Sequence, residues 1–95
     1  MEQIFEIRIQ YVPGILARVE SIFRRQRAPI RGIFLEGEEG SGARLSITAE
    51  ANLDAANLLR KQLMRLVDVN DVRDFGEAQA FASPESLFTF EEKTA

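Results

Sequence analysis

The chain has 95 residues, 45% of them hydrophobic and 28% charged, with a formal net charge of −3 and neither histidine nor cysteine. That size and balance predict one soluble globular domain in the cytoplasm, and the acidic balance argues against nucleic acid or an anionic membrane surface as the main partner. Disulfides, thiolate nucleophiles, imidazole bases and sulfur- or imidazole-ligated metals are excluded, no apolar run is long enough to span a membrane, and the acidic start Met1-Glu2-Gln3 does not read as a signal peptide.

From Ile4 to Gln10 the apolar residues Phe5, Ile7 and Ile9 alternate with Glu6, Arg8 and Gln10, the pattern of a strand with one buried face. A Pro13-Gly14 turn follows, and the spacing of Ile15, Leu16, Val19, Ile22 and Phe23 predicts a helix packed on a sheet. Arg24, Arg25 and Arg27 lie near its end, where cations suit the negative pole of the helix. Pro29 forbids continuation, and Ile30 to Leu35 reads as a second strand. The glycine-rich stretch Gly37 to Gly42 connects it to a third, in which Leu45, Ile47 and Ala49 alternate with polar residues. Glu38 and Glu39 would repel a phosphate, so this loop reads as a flexible hairpin connection rather than a phosphate cradle.

Asp54 is the expected N-cap of a second helix, with Ala56, Leu59, Leu63 and Leu66 on one face. A fourth strand is expected over Asn70 to Phe75, with an imperfect alternation in which Val67 and Val69 are out of phase with Val72. The order βαββαβ predicts an α+β, ferredoxin-like sandwich: a four-stranded antiparallel sheet, two helices on one face, the other face open for association. The domain is expected over residues 1–76. Residues 77–95, with Ser83-Pro84 as a helix start and apolar Leu87, Phe88 and Phe90, read as a C-terminal arm, weakly ordered or docked on a partner.

The catalytic inventory is short. The pairs Glu38-Glu39 and Glu91-Glu92 read as solvated carboxylates, and Lys61 and Lys93 lie in no evident apolar pocket. A non-catalytic sensor or regulator is the reading that remains. This fold also hosts RNA-recognition modules that stack bases on strand aromatics, but the third strand, Arg44 to Thr48, has none. The turn at Pro13-Gly14 is either a plain strand-to-helix connection or a binding site. Gly14 permits close approach, and the first amides of the following helix suit a small carboxylate.

Two segments decide between those readings by resemblance. Pro13-Gly14-Ile15-Leu16-Ala17-Arg18-Val19 and Lys61-Gln62-Leu63-Met64-Arg65-Leu66-Val67-Asp68-Val69 resemble the ACT domain of the acetolactate synthase (acetohydroxyacid synthase) small regulatory subunit. The resemblance runs from Ile4 to about Phe75. It implies a non-catalytic subunit in branched-chain amino acid biosynthesis that activates a thiamine diphosphate-dependent catalytic large subunit. It assigns no cofactor to this chain, with thiamine diphosphate, Mg and FAD expected only in that partner. It also implies a homodimer joined through the first helix and second strand, with a branched-chain amino acid, usually valine, bound between the first turn of one copy and the second strand of the other. The effector residues so implied are Tyr11, Pro13, Gly14, Ile15, Leu16, Pro29 and Ile30.

The chain departs from that pattern at the site. Tyr11 and Pro29 stand where the family commonly has asparagines, Arg27 replaces a glycine after the helix, and Arg31-Gly32 replaces Glu-Ser. The first two changes remove side-chain amides, and Pro29 also removes a backbone donor. The expectation is a short, single-ACT subunit that activates its catalytic partner with weak or no valine feedback. The alternative is a free-standing ACT module that senses an amino acid for another enzyme.

Overall fold

The computed structural model describes residues 1–77. The elements are β1 (Glu2–Gln10), α1 (Ile15–Arg25), β2 (Ile30–Glu36), β3 (Gly42–Glu50), α2 (Leu53–Met64) and β4 (Val69–Glu77). They form one four-stranded sheet in the order β2-β3-β1-β4, antiparallel at every pairing. This is the ferredoxin-like architecture expected from the element order. Two crossovers, β1-α1-β2 and β3-α2-β4, interleave in it. They travel in opposite directions along oppositely oriented strands, so a right-handed path puts both helices on the same face. The C-terminal arm expected after Gly76 lies, apart from the end of β4, outside the described residues.

Register explains the core. Phe5 faces Ile47 and Ile7 faces Leu45 across the β1–β3 pair, so their side chains share the helix-covered face. Ile15, Val19, Ile22 and Phe23 of α1 and Ala56, Leu59 and Leu63 of α2 close over them, all buried. At the centre the rings of Phe5 and Phe23 meet edge to face, centroids 5.3 Å apart at 83°. Two polar side chains are buried as well, Gln3 on the core face and Glu6 on the opposite face of β1, where the alternation had predicted exposure.

The second helix starts earlier than expected. Asn52, not Asp54, is its N-cap, its side chain accepting the Ala55 N–H at 2.8 Å. Asp54 falls in the first turn, where its charge still complements the helix dipole. Leu66 lies beyond the helix end but packs against the core.

The end of α1 is a Schellman motif. Ala28 N–H donates to Phe23 C=O and Arg27 N–H to Arg24 C=O, both at 3.0 Å. The motif puts Arg27 in the left-handed region, at φ +55°, where a side chain with a Cβ costs about 1–2 kcal/mol. The larger unfolded-state entropy of glycine recovers part of that difference. Arg27→Gly is therefore expected to stabilise the domain by about 0.5–1 kcal/mol, read as a rise in the urea midpoint; an unchanged or lower midpoint would contradict it.

Candidate functional site

The turn between β1 and α1 is tied by backbone hydrogen bonds. Gln10 N–H donates to Asp68 C=O at 2.8 Å, Val12 N–H to Gln10 C=O at 2.9 Å, and Ile15 N–H to Val12 C=O at 3.2 Å. Gly14 is the N-cap of α1 at φ +86°, with no side-chain cap. A Cβ there would meet nothing within 4 Å, so the turn geometry requires the glycine and its outer side is open. The first turn of α1 carries no acidic residue, and Leu16 and Ala17 N–H have no acceptor among the described residues.

The predicted effector residues fall into two groups. Tyr11, Pro13, Gly14, Ile15 and Leu16 lie at the start of α1, and Pro29 and Ile30 lie just past its end. The 11 residues of α1, which begin with Ile15 and Leu16, span roughly 16 Å of helix. Ile15 is fully buried, so its side chain belongs to the core. Tyr11 is partly buried against the core, and Pro13 and Gly14 are exposed.

A groove lies along the seam between α1 and β2. Its apolar stretch, about 340 Å³, is lined by Leu16, Val19, Ile30 and Ile33 among others. A second hollow of about 360 Å³ lies at the far end, walled by Arg24, Arg27, Ala28, Pro29 and Ile30. Glu20 and Ile30 line both. Arg24 pairs with Glu20 at 3.0 Å, whereas Arg27 has no ion pair among the described residues.

The two sheet edges differ in a way that points to the same seam. β4 carries Asp71, Arg73 and Asp74, charges that discourage edge-to-edge pairing. β2 carries Ile30, Ile33, Phe34 and Leu35 with Arg31 as its one charge before Glu36. Ile33 is 54% exposed, although it stands opposite buried Ile47 and so points to the helix-covered face. The single chain leaves an apolar strip uncovered beside α1.

Sequence reasoning missed the part played by the β2–β3 hairpin loop. Gly40 N–H donates to Tyr11 C=O at 2.8 Å and Tyr11 N–H to Ser41 C=O at 2.9 Å, so the loop fastens the β1–α1 turn. Gly37 and Gly40 adopt φ +134° and +95°, and a Cβ on Gly37 would come within 2.6 Å of the Ala43 Cβ. The glycines of this stretch were the available signal, since two of them take a positive φ. Arg18 adds an ion pair to Asp68 at 3.5 Å, joining the first turn of α1 to the segment before β4. No group of three or more acidic side chains that could hold a metal occurs among the described residues, and no helix there is long and apolar enough to cross a membrane.

Residues 12–72 match the ACT domain family model. A probable acetolactate synthase small subunit from Methanothermobacter thermautotrophicus is 35% identical over 71 residues, which is 74% of this chain and 42% of that protein. The chain thus spans less than half the length of that relative. The acetolactate synthase small subunit from Thermotoga maritima superposes with a TM-score of 0.68 at 25% identity, over 78% of this chain and 47% of that one. The ACT domain of a GTP pyrophosphokinase from Chlorobium tepidum gives 0.65 at 17% identity, over 79% and 97%, a likeness of fold alone.

Proposed function

We propose that this chain, which belongs to the ACT-domain family and is related to the acetolactate synthase small subunits, is a non-catalytic cytoplasmic regulatory subunit that activates a thiamine diphosphate-dependent acetolactate synthase. The observation that carries the reading is the uncovered α1–β2 seam, with candidate effector residues at both of its ends. A two-fold axis across the middle of α1 would reverse the helix direction. The Gly14 turn of one protomer would then face the Pro29–Ile30 end of its partner. The same operation pairs the exposed β2 edges and covers Ile33, giving an isologous dimer with a continuous sheet. The complete site exists only in that dimer.

Tyr11 and Pro29 supply no side-chain amide to a ligand there, and each lost charge-assisted hydrogen bond costs about 1.5–3 kcal/mol. Two such losses weaken binding by roughly a hundredfold or more. The subunit therefore activates with weak or no valine feedback. Mixing the purified chain with the catalytic subunit from the same organism is expected to raise turnover and to give co-elution on gel filtration. An unchanged rate with separate elution would refute the reading. A dimer that binds a small carboxylate but never associates with the catalytic subunit would instead be a free-standing ACT module serving another enzyme.

A further inference from the structure

We infer that the C-terminal segment, residues 78–95, docks on the open face of its own sheet, the face turned away from both helices. The observation that carries this is the burial of Glu6. Its register opposite Ser46 puts it on the open face, yet it is only 3% exposed. A carboxylate on an uncovered sheet face keeps its water, because burying a charge is costly. The described neighbours on that face do not account for the burial. Ser46 is too small to cover a glutamate, and Arg73, opposite Glu6 on β4, lies against Asp71 of its own strand at 3.4 Å and is 42% exposed. Arg8, next along the same face of β1, is exposed, and Arg44, one row along on β3, is tied to Glu36 of β2. The cover is therefore assigned to the part of the same chain that follows β4.

Reach and chemistry both suit the segment to that position. β4 ends at Glu77, opposite Gln3, so the chain leaves the sheet beside Ile4, which is half-buried on the open face. From β4 across to β2 is three strand spacings, about 14 Å, a distance that about five extended residues cross. On β2, Phe34 stands opposite Ser46 and is 49% exposed. Between Phe34 and Ile4 the floor consists of Ser46 and Thr48, side chains small enough to leave room for a ring. The segment brings Phe81, Leu87, Phe88 and Phe90, three of the seven phenylalanines of the chain among them, and docking removes that apolar surface from water. The inference is independent of the dimer proposed above. It leaves the β2 edge and the α1 seam as the surfaces for assembly, and any partner that used the open face would first have to displace the segment.

The chain has no cysteine, so pairs of introduced thiols report proximity without background. In the full chain Thr89→Cys is combined with Thr48→Cys on the open face and, separately, with Asn57→Cys, which is exposed on α2. A flexible bis-maleimide is added at low micromolar protein, with circular dichroism as the folding control. A docked segment holds its thiol at a raised effective concentration, so the Thr48 pair is expected to cross-link within one chain about tenfold faster than the Asn57 pair or more. The rate should not depend on protein concentration. Leu87→Ser, Phe88→Ser and Phe90→Ser together are expected to abolish the preference, and Phe34→Ser to lower it from the sheet side without touching the core. Equal rates for the two pairs overturn the inference, as does an unchanged preference in either variant. Cross-links formed mainly between chains also overturn it, and they would assign the face to the segment of a second copy.

Discussion

Ile33→Glu is expected to convert the proposed dimer to a monomer while leaving the protomer folded. Ile33 is 54% exposed in the single chain, so the substitution removes little from the protomer core and a carboxylate there remains hydrated. In the paired sheet the two-fold axis would bury two such carboxylates beside each other in an apolar seam. Among the described residues lining the groove at Ile33, the one charge is Glu20, itself an acid. Burying a charge without a partner is strongly unfavourable. A combined cost of about 4 kcal/mol or more would raise the dissociation constant by roughly a thousandfold. Sedimentation at micromolar concentration, with a urea midpoint as the folding control, reads the result directly. An Ile33→Glu protein that remains dimeric would place the interface elsewhere on the surface.

Phe23→Ala is expected to destabilise the domain by about 3–5 kcal/mol, the upper part of the range for truncating one core side chain. Phe23 is fully buried, and its edge-to-face contact with Phe5 joins α1 to the centre of the sheet. Such a pair contributes about 0.5–1.5 kcal/mol beyond its buried area. The cavity left behind is bounded by strands fixed in register, so it cannot close by a small shift. Since domains of this kind have total stabilities of about 5–15 kcal/mol, a large fraction of the folding free energy rests on this one ring. Urea denaturation monitored by circular dichroism measures the loss. A midpoint shift equivalent to less than about 1 kcal/mol would mean that the helices can settle onto the sheet and refill the space.

The architecture was legible in the sequence because periodicity reports burial directly. The strand alternation of Phe5, Ile7 and Ile9 and the helical stripe through Ile15, Val19, Ile22 and Phe23 each named the buried face correctly. What escaped was set by non-local geometry. Val69 and Val72 are out of phase in sequence, yet both are buried, because the β1–β4 register shifts between Arg8 and Ile9 and turns both toward the core. Asn52 and Asp54 are both good caps two positions apart, and the apolar stripe of α2 is the same whichever one is used. Arg27 sits at the position where a Schellman motif favours glycine, and only the backbone reveals its left-handed conformation. The resemblance divides the candidate site between the turn of one copy and the second strand of another, and the single chain holds those residues at the two ends of one helix. Sequence spacing shows where the helix ends lie along the chain but not which copy completes the pocket.

The fastening of Tyr11 to Gly40 and Ser41 has a quantitative consequence for how such a subunit would respond in the cell. A ligand at the Gly14 turn and a partner strand along β2 would act on segments tied at this one joint, since the loop that holds Tyr11 is the continuation of β2. Any free energy by which the ligand favours pairing must return as tighter ligand binding by the paired form, because coupling between two binding equilibria is reciprocal. Response to the effector would then depend on the abundance of the subunit itself. At concentrations below the dimer dissociation constant much of the chain would be unpaired and poorly responsive, and as expression rose the same effector level would become progressively more effective.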